Sequence, residues 1–199
     1  MLGEILKKED CASCRFCCAF RRTSLWETPV FTEENMAAIK ADNRLCAEPS
    51  GTLFTDSSNE TKLDKTPVQS ANLESALRKF TFEDRTYATY DLSDRYQTDS
   101  PDEEAPCPYL GEHGCLLNNE EKPWDCKIWP LRVMRLTSGE LVIALTPTCP
   151  SVNKLDIAVV KEFVRAKLKD ELFAYAKAHP YLIKDYKDGF PVVSIDRPN

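Results

Sequence analysis

The segment Leu131-Arg-Val-Met-Arg-Leu136, Thr137-Ser-Gly139, Glu140-Leu-Val-Ile-Ala-Leu145 carries the clearest structural pattern in the chain. Two mainly apolar stretches flank a short polar turn that contains glycine. This pattern is typical of a β-hairpin, because glycine readily adopts the backbone conformation that tight turns require. We therefore predict antiparallel strands over 131–136 and 140–145.

Other elements are predicted on both sides of this hairpin. Apolar residues recur at helical spacing over 153–178, and His179-Pro180 is expected to end that helix. The tail 190–195 is expected to add an edge strand, and the aromatic, threonine-rich stretch 79–92 is predicted to be a strand. Together these elements favour an α+β fold. We expect one small mixed domain over 1–199, with a β-hairpin, a long C-terminal helix and a cysteine-bound metal centre.

The composition limits the classes of partner. The chain has 199 residues and a formal net charge of −6, so it lacks the basic footprint that nucleic acid or an anionic membrane would require. No run of about 18 apolar residues is present, and the N-terminus does not resemble a signal peptide. We expect a cytoplasmic protein with an unknown redox or protein partner, and with neither nucleic acid nor membrane as a ligand.

Nine cysteines are the unusual feature of the composition. In a cytosolic chain, dense cysteine indicates metal binding or redox chemistry more often than a disulfide framework. Cys46 stands alone in a polar stretch and is interpreted as a small buried hydrophobic residue. The other eight are predicted metal ligands: Cys11, Cys14, Cys17, Cys18, Cys107, Cys115, Cys126 and Cys149.

The cysteine spacing leaves two metals open. Cys11-x2-Cys14-x2-Cys17 matches the compact triad of bacterial ferredoxins, which a distant Cys-Pro completes, and both Cys107 and Cys149 precede a proline. Zinc sites also use Cys-x2-Cys pairs, completed by a second pair elsewhere in the chain. Eight thiolates are enough for two four-ligand sites, which could be two clusters, two zinc ions or one of each.

Residues beside the cysteines add two expectations. Cys17 and Cys18 are expected to serve different metals or different corners of one multinuclear centre, because adjacent side chains point in different directions. Trp124 and Trp129 lie on either side of Cys126 and are expected to pack around the metal. Nearby basic side chains are expected to stabilise the sulfur charge: Arg15, Arg21, Arg22, Lys122, Lys127 and Arg132.

With its downstream residues, the N-terminal block Cys11-x2-Cys14-x2-Cys17-Cys18 resembles the signature of the CxxCxxCC family, the YkgJ-like zinc- or iron-chelating cysteine cluster proteins. The similar downstream segments are Cys107-Pro-Tyr-Leu110, Gly114-Cys115 and Lys122-Pro-Trp-Asp-Cys126-Lys-Ile-Trp-Pro130. Lys122 and Lys127 stand where the family commonly has arginine, and lysine cannot make the bidentate contact of arginine. The resemblance implies metal chelation by the cysteines. A related group, the flagellin lysine N-methylases, implies methyl transfer as a further alternative.

Three functions therefore remain open. The first is an iron–sulfur protein, with a 4Fe–4S cluster favoured, that works in electron transfer or redox sensing. The second is an interaction module built around structural zinc. The third is a component of a protein-modifying enzyme. The chain has no glycine-rich nucleotide-binding motif, so a conventional nucleotide-binding fold is not expected, and no catalytic residue is predicted.

Overall fold

The computed structural model describes residues 4–5, 16–42, 76–111 and 114–197, and its fold is mixed α+β. The predictions for Cys11, Cys14 and Cys46 fall outside the described residues. The strands are β1 (Ala19–Arg21), β2 (Leu77–Phe82), β3 (Arg85–Tyr90), β4 (Glu104–Pro106), β5 (Leu110–Gly111), β6 (Gly114–Cys115), β7 (Leu131–Arg135), β8 (Leu141–Leu145), β9 (Lys184–Asp185) and β10 (Val192–Ile195). The helices are α1 (Glu33–Asp42), α2 (Trp124–Ile128) and α3 (157–178).

The predicted β-hairpin is confirmed. β7 and β8 pair antiparallel, from Leu131 opposite Leu145 to Arg135 opposite Leu141. Gly139 lies in the connecting turn with a φ of 89°, in the left-handed region that glycine occupies without a steric penalty. β10 adds to β8 as the predicted edge strand and β9 runs parallel to β7, so the sheet order is β10-β8-β7-β9.

The long C-terminal helix is also confirmed, with its end where proline was expected to place it. Asp156 caps the N-terminus of α3, and its carboxylate accepts a hydrogen bond from the Ala158 N–H at 2.8 Å. The helix contains one π-helical turn, Val164–Leu168, and ends at Ala178. A separate 3-10 turn occupies Val152–Lys154, so the helix begins later than residue 153.

The stretch 79–92 is a hairpin rather than one strand. β2 and β3 pair antiparallel from Leu77 opposite Tyr90 to Phe82 opposite Arg85. Glu83 lies in the tight turn between them with a φ of 52°, a conformation uncommon outside glycine, asparagine and aspartate. The turn was missed because Glu83-Asp84 contains none of the usual glycine or asparagine pairs.

The described residues form three apolar clusters, of which the two largest join most of these elements. The larger core joins α3 to the sheet of β7, β8 and β10, and it includes Leu131, Ile143 and Leu172. The smaller core lies among α1, β3 and the loop around Tyr109, and Cys107 is one of its buried members. Within the described residues, no helix combines the length and apolar character needed to cross a membrane.

Candidate metal centre

The pairing of β1 with β4 brings the N-terminal cysteine block to the downstream cysteines. Cys18 comes immediately before β1 and Cys107 immediately after β4, and the two strands are antiparallel with Ala19 opposite Pro106. The Cys107 N–H donates a hydrogen bond to the Cys18 carbonyl at 2.7 Å, which extends the pairing by one residue. Two cysteines that are far apart in the sequence therefore become neighbours in the fold.

Cys17 and Cys18 lie on the 3-10 turn Phe16–Cys18, and their sulfur atoms are 4.0 Å apart. Zinc–thiolate bonds of about 2.3 Å give a sulfur–sulfur distance of about 3.8 Å across one tetrahedral zinc ion. The tight turn thus directs the two adjacent side chains to the same side of the backbone. This distance allows Cys17 and Cys18 to bind the same metal ion. The sequence predicted that they would bind different metals or different corners of one centre, and that alternative stays open.

Cys115 joins the group through the small hairpin of β5 and β6. Leu110 lies opposite Cys115 in this hairpin, and the Leu110 N–H donates to the Cys107 carbonyl at 3.0 Å. The short loop after Cys107 therefore folds back so that Cys115 returns toward it. Cys115 is exposed, whereas Cys107 is buried.

Cys126 is placed by the short helix α2, which follows Pro123. The pKa of the Cys126 thiol is raised well above its usual value of 9.0, chiefly because surrounding protein atoms desolvate the thiolate. Negative charges nearby add to the shift, from Cys107, Asp125, Cys115 and Cys17. The side chain nevertheless keeps some exposure to solvent. Cys126 is thus close enough to interact electrostatically with the other cysteines and is still accessible to an incoming ion.

The thiols of this group interact strongly with one another. A hydrogen bond from Cys18 lowers the pKa of Cys17 to about 7, and the same contact, burial and three neighbouring thiolates raise the pKa of Cys18. Burial raises the pKa of Cys107 to about 11. Several thiolates in one place repel each other, so a bound cation would be needed to stabilise the fully ionised group.

The described residues do not by themselves form a complete metal site. Among them, no three histidine, cysteine, aspartate or glutamate side chains are arranged so that they could hold one metal ion. The predicted ligands Cys11 and Cys14 lie outside the described residues. The structure therefore gathers five of the eight predicted ligands into one neighbourhood without a finished coordination sphere: Cys17, Cys18, Cys107, Cys115 and Cys126.

Cys149, the remaining predicted ligand within the described residues, lies in a different packing environment. It is 5% exposed and belongs to the larger core, together with Trp124 and Ile128. By contrast, Cys18 and Cys107 pack in the smaller core. Its backbone is held in a turn, with the Cys149 N–H donating to the Thr146 carbonyl and the Asn153 N–H donating to the Cys149 carbonyl.

Three of the basic residues expected to stabilise sulfur charge, Arg21, Arg22 and Arg132, lie beside carboxylates. Arg21 forms a salt bridge with Glu104 at 2.9 Å across β1 and β4. Arg132 is buried and faces Asp125 at 3.6 Å. A role for these guanidiniums at the sulfur atoms stays a prediction.

The two tryptophans beside Cys126 take up separate packing positions. Trp124 stacks on Tyr175 with ring centroids 4.1 Å apart. The Arg132 guanidinium lies 5.4 Å from the Trp129 ring centroid. Both tryptophans therefore hold the segment that carries Cys126 against its neighbours, and their packing around a metal stays a prediction.

Tyr90 is a residue of this site that sequence reasoning missed. The Cys107 thiol donates a hydrogen bond to the Tyr90 hydroxyl at 3.3 Å, and the two residues are both buried. Tyr90 ends β3, so its position beside Cys107 depends on how the hairpin packs against the loop after β4. No local sequence pattern could indicate this contact.

Comparisons with known proteins yield no relative. No protein-family model matches the chain, no curated protein is significantly similar to it, and no solved structure matches its fold. The resemblance to the CxxCxxCC family therefore rests on the motif residues quoted above.

Proposed function

We propose that the protein binds metal through its cysteine thiolates, in the first instance as an iron–sulfur cluster with a role in redox chemistry or electron transfer. The observation that carries the proposal is the β1–β4 pairing, because it joins the Cys17-Cys18 end of the N-terminal block to Cys107. Cys115 and Cys126 complete the neighbourhood. Cys11 and Cys14, which precede this point in the chain, are the further ligands expected from the motif.

An iron–sulfur cluster is supported by the ferredoxin-like triad and by the environment of the cysteines. Cys107 is buried, is followed by proline and donates a backbone hydrogen bond to the Cys18 carbonyl. Cys17, at the end of the triad, is exposed. A cluster ligated by both buried and exposed cysteines would be shielded on one side and would remain open to a redox partner on the other, which suits electron transfer.

Structural zinc is the second candidate, and one distance favours it. The 4.0 Å separation of the Cys17 and Cys18 sulfur atoms is close to the sulfur–sulfur edge of a tetrahedral zinc–thiolate site, which is about 3.8 Å. In this form the protein would be an interaction module whose cysteine-bearing half folds around the metal.

Metal analysis of protein purified without oxygen separates the two forms. We expect iron and acid-labile sulfide in near-equal amounts, with a broad visible absorption. Zinc without sulfide or colour would reject the cluster and establish the second candidate. The absence of both metals from protein never exposed to air would overturn the whole proposal.

Single substitutions then assign the ligands. Cys107→Ser and Cys126→Ser are expected to lower the metal content of the folded protein, because each removes a thiolate from the group. Cys46→Ser is the matched control, since the isolated Cys46 is not a predicted ligand, and it should keep the full metal content. The same measurement on Cys149→Ser decides whether this buried residue belongs to the predicted set of eight.

A further inference from the structure

A cavity of about 390 Å³ lies where the hairpin of β2 and β3 meets the 3-10 helix Arg22–Glu27 and strand β9. This volume falls within the range of small-molecule sites. Its walls come from four separate parts of the fold, so the cavity is a product of tertiary structure. The lining includes Trp26, Tyr90, Tyr96 and Tyr181, together with charged residues from three elements.

The charges that line the cavity are mainly positive. Arg22, Arg78 and Lys184 line it together with one acid, Asp91. Glu103 lies 3.6 Å from the Arg22 guanidinium and offsets part of its charge. Within the described residues, neither Arg78 nor Lys184 forms a salt bridge. Although the whole chain has a net charge of −6, this local excess of positive charge would attract an anion into the cavity.

Lys184 has the strongest need for such a counterion. Its side chain is half-buried, and burial lowers its pKa; the negative charge of Asp125 opposes this shift more strongly than the positive charge of Arg132 adds to it. A partly desolvated ammonium group is costly when it lacks a paired charge. An anion in the cavity would stabilise the charged form of Lys184, in addition to meeting Arg78.

Aromatic rings supply flat apolar surface between these charges. Tyr181 packs on Phe80 with ring centroids 4.6 Å apart, and the Tyr96 hydroxyl donates a hydrogen bond to the Phe20 carbonyl at 2.9 Å. Arg22 lies over the Tyr96 ring at 4.3 Å. These contacts hold the rings in place before any ligand arrives, which lowers the entropic cost of binding.

We propose that this cavity binds a small organic anion that combines a carboxylate or phosphate group with a flat apolar part. Arg78 and Lys184 hold the anionic group, and the rings of Trp26, Tyr96 and Tyr181 cover the flat part. Anion binding at this site does not depend on which metal the cysteines bind.

The cavity is connected to the cysteine group by one side chain. Tyr90 lines the cavity, and its hydroxyl accepts the hydrogen bond from the Cys107 thiol at 3.3 Å. A ligand bound against Tyr90 is therefore one residue away from a predicted metal ligand. The metal content of every sample is measured in parallel, so a failure of metal binding is distinguished from a failure of anion binding.

Calorimetric titration of the protein as purified tests the site with three probes. Benzoate and phenyl phosphate carry the two anionic groups on the same flat ring, and benzamide is the uncharged counterpart of benzoate. We expect saturable 1:1 binding of at least one anion and none of benzamide. The stronger of the two anions identifies carboxylate or phosphate as the preferred group.

Two substitutions locate the bound anion. Lys184→Met should weaken binding by about tenfold or more, because a partly desolvated charge pair is lost. Arg78→Met should weaken it by about two- to fivefold, because an exposed charge pair contributes less. Arg78 is exposed, so its replacement leaves the fold intact and decides the result even where the Lys184 variant misfolds. Arg165→Met is the matched control, since Arg165 is also exposed and lines a second cationic cavity, with Lys161, Lys169 and Arg197.

Three results would overturn the proposal. The first is the absence of saturable binding by either anion at millimolar concentration. The second is equal affinity for benzoate and benzamide, which would show that the positive charges make no contribution. The third is weaker binding in Arg165→Met with unchanged binding in Arg78→Met, which would place the anion in the second cavity.

Discussion

The sheet that carries the larger core and the segments that carry the cysteines are held together in different ways. β8 is buried along its whole length and lies between β7 and β10, under a helix of six turns. Cys18, Cys107 and Cys115 instead lie in or beside two-stranded pairings of two or three residues per strand. Such short pairs are marginal on their own. The comparison indicates that apolar burial stabilises the sheet, whereas the short pairs beside the cysteines would gain stability from the proposed metal.

Metal removal is the most direct way to break this comparison. A chelator under anaerobic, reducing conditions is expected to raise amide exchange by roughly tenfold or more at the β1–β4 and β5–β6 pairings, because the proposed metal would contribute to folding there. The amides between β7 and β8 should keep their protection. Hydrogen exchange followed by mass spectrometry measures both regions in one sample. Equal loss in both would show that they unfold as one unit.

Truncation in the larger core should produce the next largest effect. Leu172 is fully buried between α3 and the sheet. Leu172→Ala is expected to lower the free energy of unfolding by about 2–5 kcal/mol, because the lost side chain leaves a cavity. Urea denaturation measures this change, and Val159→Ala is the control, since Val159 on the same helix is 52% exposed. Metal content should be unchanged in the folded variant.

The ion pair beside Cys126 is a sharper probe, because it lies where the two regions meet. Arg132 is 3% exposed and faces Asp125, whose carboxylate also accepts a hydrogen bond from the Val30 N–H at 3.2 Å. Asp125→Asn should lower the free energy of unfolding by about 1–3 kcal/mol, since it leaves a buried positive charge unpaired. Asp196→Asn breaks the surface pair with Lys177 and should cost less than about 1 kcal/mol. A similar decrease in the free energy of unfolding in both variants would show that the Arg132 charge does not depend on Asp125 more than a surface charge depends on its partner.

The smallest expected effect is a pH dependence at His179, which follows α3 and lies near β3. Burial and the neighbouring Arg85 lower the pKa of His179 from its ordinary value of 6.5. The unfolded chain therefore binds a proton more readily, so this contribution to stability is complete above pH 6.5 and is lost as the pH falls toward the folded pKa. NMR titration of the ring protons, assigned with His179→Gln, should give a pKa below 6.5. A value at or above 6.5 would contradict the prediction.

Local patterns predicted the hairpin of β7 and β8 and the end of α3, because Gly139 and Pro180 constrain the backbone where they stand. The turn at Glu83 was missed because a glutamate there adopts a conformation that its residue type does not favour. Five of the eight cysteines predicted from the motif gather in the fold, whereas Cys149 packs in the larger core, and the motif could not show how the five come together. The β1–β4 pairing joins two three-residue strands that are more than eighty positions apart, and no sequence feature of either strand indicates which strand it pairs with.

The π-helical turn in α3 resolves a mismatch of phase. Buried residues recur at an interval of four through Val160, Val164, Leu168, Leu172 and Ala176. A regular α-helix advances about 100° per residue, so five such positions would spread over about 160° of its surface. The wider π turn reduces the advance per residue and returns the later positions to the sheet. The π turn therefore accommodates one residue more than a regular α-helix with the same buried face would contain. Loss of the exposed Ala166 would change the intervals to four, three, four and four, which an uninterrupted α-helix keeps on one face.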